Sequence, residues 1–272
     1  MLWLPHSGQV KRITNGAIVG GFAGTQVTSG ASNVYGTIVE LISAASNTRD
    51  SWGIWVTICA ETSPGAAQTQ ACCDILIGGA TDDMLINSLI CGGAHRAPTI
   101  NYFFPLHIPA GLRIAAQISC FAASRVFRVM VTLFGEGSPP FRVGRKVTTL
   151  GTKVTNSRGQ AVTPTASSGA ASVTELEDST VEDYFAFMPG FQTETDTAWA
   201  TEQINIGIGV GASTEERIGT WYGAQSSTEE NFGMQPCIPA FYNAPAGSRI
   251  TMLASQSGSL ELAYGGLIYA VS

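Results

Sequence analysis

The segment Ile204-Asn205-Ile206-Gly207-Ile208-Gly209-Val210-Gly211 places a β-branched residue at every second position and glycine at three of the four positions between. A helix loses about 1 kcal/mol of stability at each interior glycine and turns residues two apart onto different faces. A strand accepts the pattern, because period-two alternation puts all four branched side chains on one side. The bare glycine side then predicts a strand pressed against another backbone or covered by a neighbour. The same alternation, with β-branched and aromatic residues dominant, runs through residues 51–59 and 125–134. Composition agrees: only 12% of residues are charged and 31 are glycine, whereas long helices need surfaces rich in Glu, Lys, Arg and Gln.

The chain repeats itself at half its length. Val27-Thr28 recurs as Val162-Thr163 and Glu40-Leu41 as Glu175-Leu176. Ile75, Ile77, Gly78 and Asp82-Asp83 recur as Ile208, Val210, Gly211 and Glu215-Glu216. Pro109-Ala110-Gly111-Leu112-Arg113-Ile114 recurs as Pro245-Ala246-Gly247-Ser248-Arg249-Ile250. The order is preserved, so an internal duplication is expected. With 272 residues the chain suits two domains. The expected division is an N-terminal arm at 1–24, a first sandwich at 25–135, a basic linker at 136–160 containing Ser138-Pro139-Pro140, and a second, acidic sandwich at 161–272. Seven or eight short strands in each half predict an all-β chain of two tandem antiparallel, jelly-roll-like β-sandwiches.

In the repeated turn, Pro109 and Pro245 fix φ, Gly111 and Gly247 permit the reversal, and Ile114 and Ile250 start an inward apolar series. Arg113 and Arg249 are expected to make a structural ion pair or bonds to loop carbonyls.

Charge divides unevenly. Residues 1–160 carry a balance of +5 and residues 161–272 one of −11, an asymmetry that suits head-to-tail packing of copies. A net charge of −6 argues against nucleic acid, which is bound by clustered Lys and Arg. No apolar run reaches the roughly 18–20 residues that span a bilayer, and the N-terminus lacks a secretory pattern. A soluble chain made in the cytoplasm is expected, with no membrane partner.

Chemistry is sparse. His6, His95 and His107 fall in no metal motif, and Cys59, Cys72, Cys73, Cys91, Cys120 and Cys237 form no C-x-x-C pair. No catalytic, metal or cofactor residue is assigned, no cofactor is expected, and the chain is expected not to be an enzyme. Adjacent Cys72 and Cys73 point to opposite faces of a strand, so one is expected in the core and the other is a candidate interface thiol. Asp82-Asp83 and Glu215-Glu216 are expected in solvated turns. Lys11, Arg12, Arg142, Arg145 and Lys146 are candidate partner contacts. Aromatics such as Trp52, Trp55, Phe103, Trp221 and Tyr222 could stack on sugars, but in sandwiches such residues more often serve core or interface.

Tyr35-Gly36-Thr37-Ile38-Val39-Glu40-Leu41-Ile42, Asp74-Ile75-Leu76-Ile77-Gly78 and Phe104-Pro105-Leu106-His107-Ile108-Pro109-Ala110-Gly111-Leu112-Arg113-Ile114-Ala115 resemble a group of tailed-bacteriophage structural proteins with jelly-roll-like domains. The resemblance covers most of residues 27–134 and thins in the second half. It implies a virion component on head or tail, such as a capsid decoration or cement protein on the particle exterior, partnered by other virion proteins and homo-oligomeric, for example trimeric. The alternative is a tail-fibre or receptor-binding module that holds host glycan.

Overall fold

The computed structural model describes residues 11–14, 24–60, 71–79, 81–91, 99–135, 139, 141–152, 159–166, 171–193, 202–211, 215–225, 238–257 and 264–272. These form eighteen strands, and among the described residues there is no helix. The first nine strands are β1 (Lys11–Thr14), β2 (Thr25–Thr28), β3 (Val39–Ile42), β4 (Ser51–Ala60), β5 (Ala71–Gly78), β6 (Asp82–Ile90), β7 (Ile100–Phe104), β8 (Arg113–Cys120) and β9 (Val126–Gly135). The second nine are β10 (Val147–Leu150), β11 (Gln160–Val162), β12 (Ser172–Glu177), β13 (Tyr184–Thr193), β14 (Glu202–Gly211), β15 (Glu216–Gln225), β16 (Ala240–Ala244), β17 (Arg249–Gln256) and β18 (Tyr264–Val271).

Each set makes one sandwich. In unit one a five-stranded sheet ordered β1-β9-β4-β7, with β2 also on β9, faces a four-stranded sheet ordered β3-β8-β5-β6. In unit two β10-β18-β13-β16, with β11 on β18, faces β12-β17-β14-β15. Strand for strand the two connectivities are the same, and the pairings between strands are antiparallel. The chain is therefore all-β, as the alternation predicts.

Alternation also sets the core. Ile54, Val56 and Ile58 on β4 lie opposite Leu133, Val131 and Val129 on β9, and all six are fully buried. Burying such a side chain stabilises by roughly 1.5–3 kcal/mol. On the glycine-rich strand β14, Ile204, Ile206 and Ile208 fill unit two's core. The glycines lie beneath side chains of flanking residues: a Cβ on Gly209 would sit 2.5 Å from the Thr251 hydroxyl and 2.8 Å from Glu215 Cβ. Coverage by neighbours is thus the alternative that holds.

Two expected boundaries need correction. The segment 1–24 is not simply an arm, because Lys11–Thr14 pairs with β9, Arg12 opposite Phe134. Nor is 136–160 simply a linker. Val147–Leu150 is a strand on β18, and ahead of it the Gly144 N–H donates to Pro105 O at 2.8 Å while the Arg145 N–H donates to Ser272 O at 2.8 Å. Backbone amides that must be satisfied when buried bind this connector into both units.

The units meet edge to face. In unit two's five-stranded sheet the residues pointing away from its own core include Ala186, Met188, Leu267, Tyr269 and Val271, every one buried. They are covered by unit one's open side, where strands β6 and β7 end their sheets. Apolar burial on both faces of one sheet makes the two sandwiches a single block.

Candidate functional site

The seam between the units centres on a bulge in β6. The register of β5 against β6 slips on either side of Ile75, and Ser88 adopts a φ of 57°, an uncommon conformation for a residue with a side chain. Two buried groups hold it there. From unit one, Asp74 accepts the Ser88 N–H at 2.8 Å, the Tyr35 hydroxyl at 3.0 Å and Gln117 Nε2 at 2.9 Å. From unit two, the Tyr269 hydroxyl donates to Ser88 O at 2.9 Å and accepts the Ile90 N–H at 2.8 Å. Tyr102 completes the set by donating to Ile90 O at 2.7 Å, its ring edge-on to Tyr269 at 5.5 Å. Thr149 adds a bond to Asn87 O at 2.8 Å.

Asp74 is 2% exposed. Burial pushes its carboxyl above the usual range, although its three donors pull the other way. Burial and the Asp74 charge likewise raise Tyr35. Sequence reading singled out neither Asp74 nor Tyr269. The one available signal was a lone acid inside the apolar run Ala71-Cys72-Cys73-Asp74-Ile75-Leu76; Tyr269 carried none.

The repeated turn is a matched pair of staples. In unit one the Asn47 side chain donates to Pro109 O at 2.8 Å and Leu112 O at 2.9 Å, and Asp50 accepts the Ala110 N–H at 2.8 Å. In unit two Thr180 donates to Pro245 O at 3.1 Å and Asp183 accepts the Ala246 N–H at 2.8 Å. Gly111 and Gly247 take φ of 75° and 86°, the region glycine enters without strain. Arg113 pairs with Asp82, and Arg249 with Glu215 and Glu175. Asp82 and Glu215 therefore anchor the repeated arginines and do not sit in solvated turns.

The cysteine expectation is corrected. Cys72 and Cys73 are 2% and 0% exposed, because β5 is an inner strand of its sheet, between β8 and β6. Neither is in a disulfide and neither reaches the surface, so neither is an interface thiol. Burial raises the Cys73 and Cys91 thiols well above their usual range.

The candidate partner cations separate. Arg142 lies 4.5 Å over the Phe185 ring, and Lys146 pairs with Glu182 at 2.6 Å, a contact that raises the lysine and lowers the carboxyl. Arg145 instead lines an open cleft of about 460 Å³ with Asp50, Trp52, His107 and Val143. There His107 Nε2 stands 3.7 Å from Asp50 Oδ2. The side chains of Lys11 and Arg12, together with His6, His95 and Cys237, lie outside the described residues. Among the described residues no three His, Cys, Asp or Glu side chains gather to hold a metal, and no helix is long and apolar enough to cross a membrane.

No protein-family model and no curated protein sequence matches the chain. Solved structures do show similar strand arrangements. PNGF-II is 8% identical with a TM-score of 0.40, the match covering 98% of this chain and 66% of that one. PNGase F, a glycosylasparaginase from Flavobacterium meningosepticum, is 8% identical with a TM-score of 0.40 over 96% of both chains. The STIV MCP is 8% identical with a TM-score of 0.36, again over 96% of both. Likenesses this remote assign no function. They do correct one expectation: because chains of similar arrangement include a glycosylasparaginase, the expectation that this chain is not an enzyme is withdrawn.

Proposed function

We propose that this chain is a structural protein of a bacteriophage particle, a capsid decoration or cement protein made in the host cytoplasm and carried on the outside of the head. The observation that supports this reading is the buried seam. It joins two sandwiches of one connectivity, which we attribute to duplication, into a block that can be laid against neighbours in many copies without changing shape. The partners in this reading are the major capsid protein and further copies of the chain, with Arg145, Lys11 and Arg12 as the cations that meet an acidic shell. Quantitative mass spectrometry of purified particles tests it. Many copies per particle, and particles that rupture at lower temperature once the protein is stripped, are the expected result; a few copies confined to the tail would overturn it.

The cleft favours a second reading, in which the chain is a tail-fibre or receptor-binding module. Asp50, His107 and Arg145 along the cleft offer polar groups to a glycan. Binding on a glycan array that is lost in Arg145→Ala would favour this reading over the first.

A further inference from the structure

Both halves of the seam have a counterpart left over. The seam seats unit one's open side, between β6 and β7, on the outer face of unit two's five-stranded sheet. Shared connectivity gives unit two an open side of its own, between the terminal strands β15 and β16, and gives unit one an outer face on β9, β4 and β7. In register, Trp55 and Met130 stand where Met188 and Leu267 stand. Met188 and Leu267 are fully buried, whereas Trp55 and Met130 keep part of their surface in solvent. On the open side, Trp221, opposite Ile206, takes the place of Leu89, opposite Cys73, and donates to Ile238 O at 3.2 Å. Tyr222, the next residue of β15, is 70% exposed. Exposed aromatics of this size mark contact surfaces. β15 ends its sheet and runs for ten residues with neither lysine nor proline, two of the residues with which natural proteins block edge pairing. Charge agrees, since Arg128 shares the face with Met130 in the basic part of the chain, and Glu216 lies on β15 in the acidic part.

We propose that copies of this chain bind head to tail, the open side of unit two in one copy seated on the outer sheet face of unit one in the next. This deepens the shell-protein reading and rests on it for its setting. The contact joins two different surfaces, so repetition closes a ring or extends a filament.

A mixing experiment in sedimentation velocity tests it. Met130→Glu spoils the face and Tyr222→Glu the open side, with circular dichroism checking that each remains folded; Thr57→Glu, on the same face, replaces Met130→Glu if that variant unfolds. The expected result is an oligomeric parent chain, each variant alone monomeric, and an equal mixture forming dimers, because one intact face and one intact open side remain between them. A parent chain that stays monomeric, a variant that keeps the parent oligomer, or a mixture without dimers would overturn the proposal. A monomeric chain present in many copies on purified particles sinks this contact alone. An oligomer of this kind from a chain absent from particles sinks the shell reading alone.

Discussion

Tyr269→Phe removes one oxygen atom from a fully buried ring and tests whether the seam holds the two units as one body. The lost hydroxyl serves Ser88 O at 2.9 Å and the Ile90 N–H at 2.8 Å, and the ring it sits on is wholly buried. The variant keeps the apolar area, so the transfer free energy is nearly unchanged. Its cost is two buried backbone groups left without that partner, each worth about 1–3 kcal/mol, or about 2–6 kcal/mol together. For a chain of this size that lowers the thermal midpoint by roughly 5–15 °C. The sharper assay is native-state hydrogen exchange at the Ile90 amide, which loses its acceptor and should exchange faster, with the amides of β4 and β9 in unit one's core much less affected. Tyr184→Phe is the control: its hydroxyl meets the side chains of Glu182, at 3.4 Å, and Thr148 and serves no backbone group, so the change should cost about 1 kcal/mol. An unchanged midpoint together with unchanged Ile90 protection in Tyr269→Phe would refute the reasoning.

Three further outcomes follow from the same geometry. Asp74→Asn should keep the fold, because both Ser88 N–H and Tyr35 donate to one oxygen, Oδ1, and the Gln117 amide can turn to accept from the new NH2. The Asp74 carboxyl is raised in the folded chain, so the folded state binds the proton more tightly and stability falls as pH climbs from the ordinary carboxylate range through the raised value. Denaturant melts across that window should show the decline in the parent chain and its loss in Asp74→Asn; an unaltered slope would count against the assignment. Gly190→Ala should destabilise by about 1–3 kcal/mol, since its Cβ would stand 2.5 Å from the Tyr269 hydroxyl, and a neutral result in thermal melts would mean that the seam is loose. Asn47→Ala deletes a fully buried side chain bonded to Pro109 O and Leu112 O and should cost about 1–3 kcal/mol in denaturant melts, with no change there showing that the staple is dispensable.

How far the sequence carried the reading differs from residue to residue. The isoleucines at 204, 206 and 208 face the core because two residues of extended chain return a side chain to the same face, a property of the backbone that needs no neighbour to be known. The arginines at 113 and 249 stood out by position, and their acids at 82 and 215 stood out as a repeated pair, yet nothing joined them until strands β5, β6 and β8 were laid side by side. Cys72 and Cys73 were misjudged because alternation says which face a residue takes and not whether that face is covered.

Alternation, glycine placement and ordered recurrence thus determined by themselves that this chain builds two sandwiches from antiparallel strands. These are short-range properties, decided within a strand or a turn. Only the tertiary structure decided that a stretch read as a linker contributes a strand, and that a tyrosine 181 positions from its partner closes the first sandwich with the second. The reason is physical: a seam forms where the shapes and unmet hydrogen bonds of two assembled surfaces agree, and those surfaces exist only once strands remote in sequence have come together.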